Sequence, residues 1–373
     1  MRSSTLRVPI WIVLVALAAV GLWAWTSLGP VTMPPTSAAT SEASPGADPT
    51  PSRPSSSSAE SSETDAQAAR PGSPDGPPSH RAFVSLRQRA AILSVRSDIE
   101  TRWGTEAPIR HIDSTADGSL ILGTSSSENR VYAINGTTGE VTASVEVGKS
   151  PQGVRIAPDG TRALVANRGS NTVSVIGLRN GGIQTPAREI DVGDAPQSVA
   201  FAPNGGRAYV TLSEANAVAV IDLSSLETET TIRVSGTPHE IAVAPDGGRL
   251  YVTARERGDV AVVDLERGAV IWRVIVGSSP QGIAVSPDGK RVYVSSLGTD
   301  HIDIIDAETL GPPQSITVGD APLGLQLTPD GRYLYVALTR ANELAVLDTE
   351  SLDVVHRIVL NAEPFSVVLP QQD

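Results

Sequence analysis

The residues able to do chemistry in this chain are arginines, a series of glutamines and a few histidines. Arg110, Gln152, Gln197, His239 and Gln281 each stand one or two places after a proline, at Pro108, Pro151, Pro196, Pro238 and Pro280. Leu323 and Phe365 hold the same place after Pro322 and Pro364. Brought together, such amide, imidazole and guanidinium groups would hydrogen-bond a small polar ligand, with Leu323 and Phe365 as an apolar wall. A second series, Arg87, Arg168, Arg255, Arg257 and Arg340, offers guanidinium forks that suit carboxylates and phosphates, opposed in part by Glu128, Glu214 and Glu256. The competing readings are polar residues around a water-filled channel and arginines that are simply solvated.

Catalytic signatures are scarce. The chain has no cysteine, which excludes disulfides, thiolate metal sites and cysteine nucleophiles. It has no Gly-rich phosphate loop, no paired-histidine zinc motif and no Gly-x-Ser-x-Gly elbow. No two of His80, His111, His239, His301 and His356 have metal-ligand spacing, so neither a metal nor a cofactor is expected. His239-Glu240 is the weak catalytic candidate, because an imidazole beside a carboxyl could carry acid–base chemistry; a partly exposed turn residue is the plainer reading. Asp222, Asp264, Asp306 and Asp348 recur with the repeat and read as turn caps, and Asn135-Gly136-Thr137 reads as a turn despite its sequon.

The elements that position these residues are repeats. The prolines lie 43, 45, 42, 42, 42 and 42 residues apart, a period that marks a propeller or a solenoid. The unit that begins at Pro280 holds four short β segments: Gly282 to Val285, Arg291 to Ser295, a third around Ile302, Ile304 and Ile305, and a fourth ending at Val318-Gly319. Asp288-Gly289 turns the first into the second, and equivalents recur at Asp117-Gly118, Asp159-Gly160, Asn204-Gly205, Asp246-Gly247 and Asp330-Gly331. Four antiparallel strands per repeat make a propeller blade. The last repeat supplies only Pro364 to Leu369. Arg81 to Leu86, Ala90 to Val95 and Ile99 to Gly104 supply its other three strands, so residues 81–373 predict an all-β, seven-bladed propeller closed by a blade shared between the two ends. In such a ring the loop before each repeat proline and the loop after each second strand open on one face, and the first series rings the channel mouth.

Leu250-Tyr251-Val252-Thr253, Ala208-Tyr209-Val210-Thr211, Val292-Tyr293-Val294-Ser295 and Leu334-Tyr335-Val336-Ala337 each follow a Pro-Asp-Gly or a variant of it. These segments resemble the YVTN family of β-propeller repeats, whose closing asparagine is kept at Asn167. The resemblance covers nearly all of residues 81–373 and implies the propeller fold. It implies no single function, since the family includes archaeal surface-layer proteins and related propellers include lactonases and redox-enzyme domains.

Ahead of the propeller, residues 1–29 read as a signal-anchor. Val8 to Leu28 is uncharged and long enough to span roughly 30 Å as a helix, with Arg2 and Arg7 before it. A cleaved signal peptide is the competing reading, although the run ends without a clean small-x-small site. Residues 30–80, rich in Ser, Pro and Ala, read as a disordered stalk. The net charge of -12 excludes broad nucleic-acid binding. The sequence therefore predicts a single-pass membrane protein, or a secreted one after cleavage, with its propeller outside the cytoplasm. Its expected role is to bind an anionic small molecule, a cell-envelope polymer or a protein. The alternative is a lactonase-like hydrolase or lyase at the channel mouth, with His239, Glu240 and Arg110 as its groups.

Overall fold

The computed structural model describes residues 80–87, 89–96 and 99–371, and the expected anchor and nearly all of the expected stalk lie outside them. Every element in the described residues is a β-strand. The strands form seven sheets of four, one of them extended by a fifth short strand. Numbered along the chain, blades 1 to 7 have as innermost strands Ile112–Ser114, Pro151–Ile156, Pro196–Phe201, Pro238–Val243, Pro280–Val285, Pro322–Leu327 and Pro364–Val368.

Blade 7 is the shared one. Its inner strand, Pro364–Val368, pairs antiparallel with Arg81–Leu86, with Phe83 opposite Val368 and Val84 opposite Val367. Ala91–Arg96 and Ile99–Gly104 complete the sheet. Closing the ring in this way uses the ladder groups that an open end would leave unpaired.

The alternation of side chains along a strand explains the core. Successive residues point to opposite faces of a blade, and both faces of an inner blade are covered by neighbours. In the second strand of blade 2, Leu164 and Ala166 join the cluster shared with blade 3, while Ala163 and Val165 join the cluster shared with blade 1. One apolar cluster fills each junction between adjacent blades, including the junction of blades 7 and 1, where Phe83 meets Ile109 and Ile121. The fourth strands stay largely exposed, as in Glu227–Arg233.

The expected Asp-Gly turns form as read, with Gly289 at φ 73° and Gly331 at φ 74°. Asp222 and Asp348 cap their turns by accepting backbone N–H groups two and three residues on. Asn135 does the same for Thr137 and Thr138. The 45-residue spacing after Pro151 has a local cause: Thr172–Arg179 runs long and folds back on Gly182–Ile183 in a hairpin that the repeat pattern did not reveal. On the side of the Asp-Gly turns, arginines tie blades together. Arg162 donates to the Leu223 carbonyl at 3.1 Å and Arg249 to the Ala307 carbonyl at 2.7 Å. These cations are taken up by the fold.

One contact recurs around the channel. The ladder between inner and second strands slips by a bulge, as between Pro238 and Ile241. A hydroxyl from the second strand bridges the slip. In blade 4, Thr253 Oγ1 accepts the Glu240 N–H at 2.9 Å and donates to the Gln281 carbonyl of blade 5 at 3.3 Å. Thr211 accepts from Ser198 and donates to His239 at 2.7 Å. Ser85 accepts from Ser366 and donates to Arg110 at 2.6 Å. Thr124 and Ser295 donate likewise to the carbonyls of Gln152 and Leu323. Five of the seven blades carry this link, and its acceptor each time is the backbone of the mouth residue in the next blade; blades 2 and 6 have Ala166 and Ala337 there instead.

Thr253→Val keeps the shape of this fully buried side chain and leaves one N–H and one carbonyl unpaired. It should lower stability by about 1–3 kcal/mol in urea unfolding, with Thr253→Ser close to the native chain. A valine variant as stable as the native protein would contradict the role assigned to the hydroxyl.

Candidate functional site

The two sets of loops on the mouth face are hydrogen-bonded to each other. Arg168 N–H donates to the Ser150 carbonyl and Arg255 N–H to the Thr237 carbonyl, each across 3.2 Å. Asparagines fasten them further: Asn129 Oδ1 accepts from Ser150 N–H, and Asn216 Oδ1 accepts from Gly236 and Thr237 N–H. The residue before the proline has positive φ in blades 2 to 6, as at Thr237 with 58°. A strained conformation shared by five blades belongs to the fold, and it turns the chain into the inner strand.

The structure separates the residues of the first series. His239, Gln281, Leu323 and Phe365 line the channel cavity. Gln152 is buried but turns away, with Nε2 near Ser126 Oγ, Ser150 O and Ser150 Oγ, each at 3.3 Å. Gln197 is also buried and outside the cavity lining. Gln281, with its amide oxygen facing Arg255, accepts from Arg255 Nε at 2.9 Å and Nη2 at 3.3 Å. Arg110 keeps an exposed face, and its guanidinium lies 5.1 Å from the Phe365 ring centre, a cation–π contact.

The arginines divide in the same way. Arg168 pairs with Glu214 at 3.1 Å, Arg340 with Asp320 at 3.3 Å and Arg257 with Asp259 at 2.9 Å. Arg87, Arg110 and Arg255 have no carboxylate within ion-pair reach among the described residues. They crowd one another. Partial burial lowers the Arg110 pKa from its ordinary value, and the charges of Arg87, Arg168 and Arg255 lower it further.

Below this cationic layer lies a second tier of side chains, one residue further along each inner strand. It holds His111, Ser198, Glu240 and Ser366, with Gly153, Gly282 and Gly324 in the other blades. A side chain at Gly324 would place its Cβ 2.6 Å from the Phe365 carbonyl, so that blade admits none. The cavity here is about 60 Å³, room for a few waters. Ser198 Oγ donates to Glu240 Oε2 at 2.7 Å. Burial raises the Glu240 pKa, against the opposing pull of Arg155 and of the Ser198 bond. Arg155 itself stands 3.8 Å from Asp113, whose carboxylate accepts the Ile156 N–H.

Both imidazoles here are held neutral. Burial, then the charges of Arg255, Arg110 and Arg168, bring His239 down to about 3. Burial, Arg110, His239 and Arg155 hold His111 well below its ordinary value. His239 Nδ1 and His111 Nε2 are buried without a hydrogen-bond partner among the described residues. The His111 ring meets Phe365 edge-on at 5.1 Å.

Sequence reasoning named the mouth residues and Glu240. It missed His111, Ser198 and Ser366, although the repeat alignment holds the signal: polar residues stand in register with Gly153, Gly282 and Gly324. Metal-ligand clustering is absent among the described residues.

Residues 204–325 match the family model of the cytochrome D1 heme domain, over less than half of the chain. No curated protein matches the chain. Among solved structures, hydrazine synthase of Kuenenia stuttgartiensis is similar at 24% identity and a TM-score of 0.60, covering 72% of this chain and 90% of that one. A putative 6-phosphogluconolactonase from Bacteroides uniformis shares 20% identity over 78% of this chain and 99% of its own, with a TM-score of 0.67. Dihydro-heme d1 dehydrogenase, solved in complex with DHE, shares 18% over 79% of this chain and 76% of its own, with a TM-score of 0.60. At these identities the likeness is one of fold.

The neutral state of His239 has a consequence for stability. The unfolded chain takes up this proton near 6.5 and the folded chain only near 3, so stability rises with pH through that window. The contribution is complete above about pH 6.5 and is lost as the pH falls toward 3. An NMR titration should find His239 neutral at about pH 5, and Arg255→Gln should move its pKa upward. A native His239 that protonates near 6.5 would overturn this description of the mouth.

Proposed function

We propose that this chain is a non-enzymatic binding protein whose propeller receives an anionic partner at the arginine-bearing mouth. One observation carries the reading. In a chain of net charge -12, Arg110 and Arg255 lie together at the channel entrance beside Arg87 and Arg168, and neither has a carboxylate partner among the described residues. A guanidinium braced by an amide, as Arg255 is, or by a ring face, as Arg110 is, keeps donors free for a carboxylate or phosphate. In keeping with the amino-terminal sequence, the proposal includes a membrane anchor, a stalk and an extracytoplasmic propeller. A small molecule, an anionic cell-envelope polymer and a protein segment are all partners of suitable charge.

The comparison proteins raise one specific ligand, a d1-type heme. The fit is poor. The arginines suit its carboxylates and His239 offers an imidazole, but the cavity between the inner strands holds only a few waters, far less than a macrocycle. Phe365, under Arg110 and against His111, already lines the cavity.

A second reading, a hydrolase or lyase acting on a lactone, is favoured by the Ser198–Glu240 pair within reach of the same cavity. Binding without turnover separates the two.

The test uses citrate, a tricarboxylate probe, titrated into the full chain at low salt. Binding should weaken by about tenfold or more in the Arg110→Ala, Arg255→Ala double variant and should fall as salt rises. Arg207→Ala, which breaks a surface pair with Glu229, should leave it unchanged. Equal losses in both variants would sink the proposal.

A further inference from the structure

The second tier differs from the mouth in the chemistry that it can recognise. We propose that it forms, with His239 of the mouth above it, a hydroxyl-binding subsite, so that the ligand is a short hydroxylated organic anion with its charged group at Arg110 and Arg255 and its hydroxyls among His111, His239, Ser198 and Glu240. The inference rests on the reading of the mouth as an anion site, and it names the class of ligand.

Three observations support it. First, His239 Nδ1 and His111 Nε2 are buried beside the cavity with no partner among the described residues, and an unpaired buried polar atom costs free energy that a ligand group can recover. A neutral imidazole has one donor and one acceptor nitrogen; a hydroxyl can serve either one, whichever tautomer is present. Second, Glu240 has one oxygen engaged by Ser198 and the other open to accept. A carboxylate at this depth repels an anionic group and accepts from an O–H, so charge at the mouth and hydroxyls within is the favoured order. An ammonium group is disfavoured by Arg110, Arg155 and Arg255. Third, the cavity of about 60 Å³ is small, on the scale of a two- or three-carbon fragment. The Leu323 and Leu325 side chains beside it offer contact to C–H faces.

Calorimetry on the full chain with matched probes tests this. Glycerate and propionate share a charge and a similar size, and differ in hydroxyls. Glycerol carries hydroxyls without charge, and glycerol 3-phosphate replaces the carboxylate by a phosphate. Glycerate or glycerol 3-phosphate should bind at least about tenfold more tightly than propionate, and glycerol alone should not bind measurably. The stronger of the two hydroxylated anions identifies the charged group. Glu240→Gln and Ser198→Ala should each bring that ligand to within about threefold of propionate while propionate itself is unchanged, with folding checked by the urea midpoint. If glycerate, glycerol 3-phosphate and propionate bind equally and all are lost in Arg110→Ala, the mouth is an anion site and the hydroxyl subsite is wrong. If none of the anions binds, both readings fall.

Discussion

A single hydroxyl, repeated around the channel, satisfies two backbones in two blades. In five blades a second-strand threonine or serine accepts an N–H of the inner strand, beside a bulge in the ladder in all of these but blade 1. The same oxygen passes its own proton to a carbonyl in the next blade. Apolar packing between blades is non-directional and would tolerate sliding. The hydroxyl link is directional, and at five of the seven junctions it fixes the height and rotation of an inner strand against its neighbour. Its acceptors are the backbones of Arg110, Gln152, His239, Gln281 and Leu323, so the contact that joins the blades also sets where the mouth side chains begin.

Much of this architecture was legible in the sequence, for physical reasons. A period of about 42 residues with Asp-Gly turns reflects four short strands and the positive φ that glycine supplies. The orphan strand at Pro364 and the three unpaired strands from Arg81 could satisfy each other only by sharing a blade. What the sequence hid depended on geometry between blades. Thr253 was visible as the third letter of a strand motif, but its bonds exist only because of a bulge and a neighbouring blade. Gln152 and Gln281 occupy equivalent places. Both amides reach back to the serine before their proline, Ser150 and Ser279, and Gln281 alone also braces Arg255, a difference decided by which partners the neighbouring loops present. The Thr172–Arg179 hairpin left only a three-residue excess in the spacing.

The channel is graded in charge and burial. Arginines without carboxylate partners stand at the top, neutral imidazoles beneath them, then a carboxyl raised by burial, then the Arg155–Asp113 pair. Each layer shapes the next. Burial first, and then the arginine charges, keep protons off the histidines, and the neutral histidines leave the guanidinium field available to a ligand. On the other face, Asp117, Asp159 and Asp288 are spent on their own turns and Arg162 and Arg249 on neighbouring carbonyls. At the mouth, Arg87, Arg110 and Arg255 have no carboxylate within ion-pair reach among the described residues.

The central claim, that this mouth is an anion site, is tested most directly by diffraction from crystals of the native chain soaked in bromide, recorded at the bromine absorption edge. The account predicts an anomalous peak at the channel entrance against Arg110 or Arg255, absent from Arg110→Ala, Arg255→Ala crystals treated alike. Bromide distributed over the rest of the surface, with none at the entrance, would contradict it.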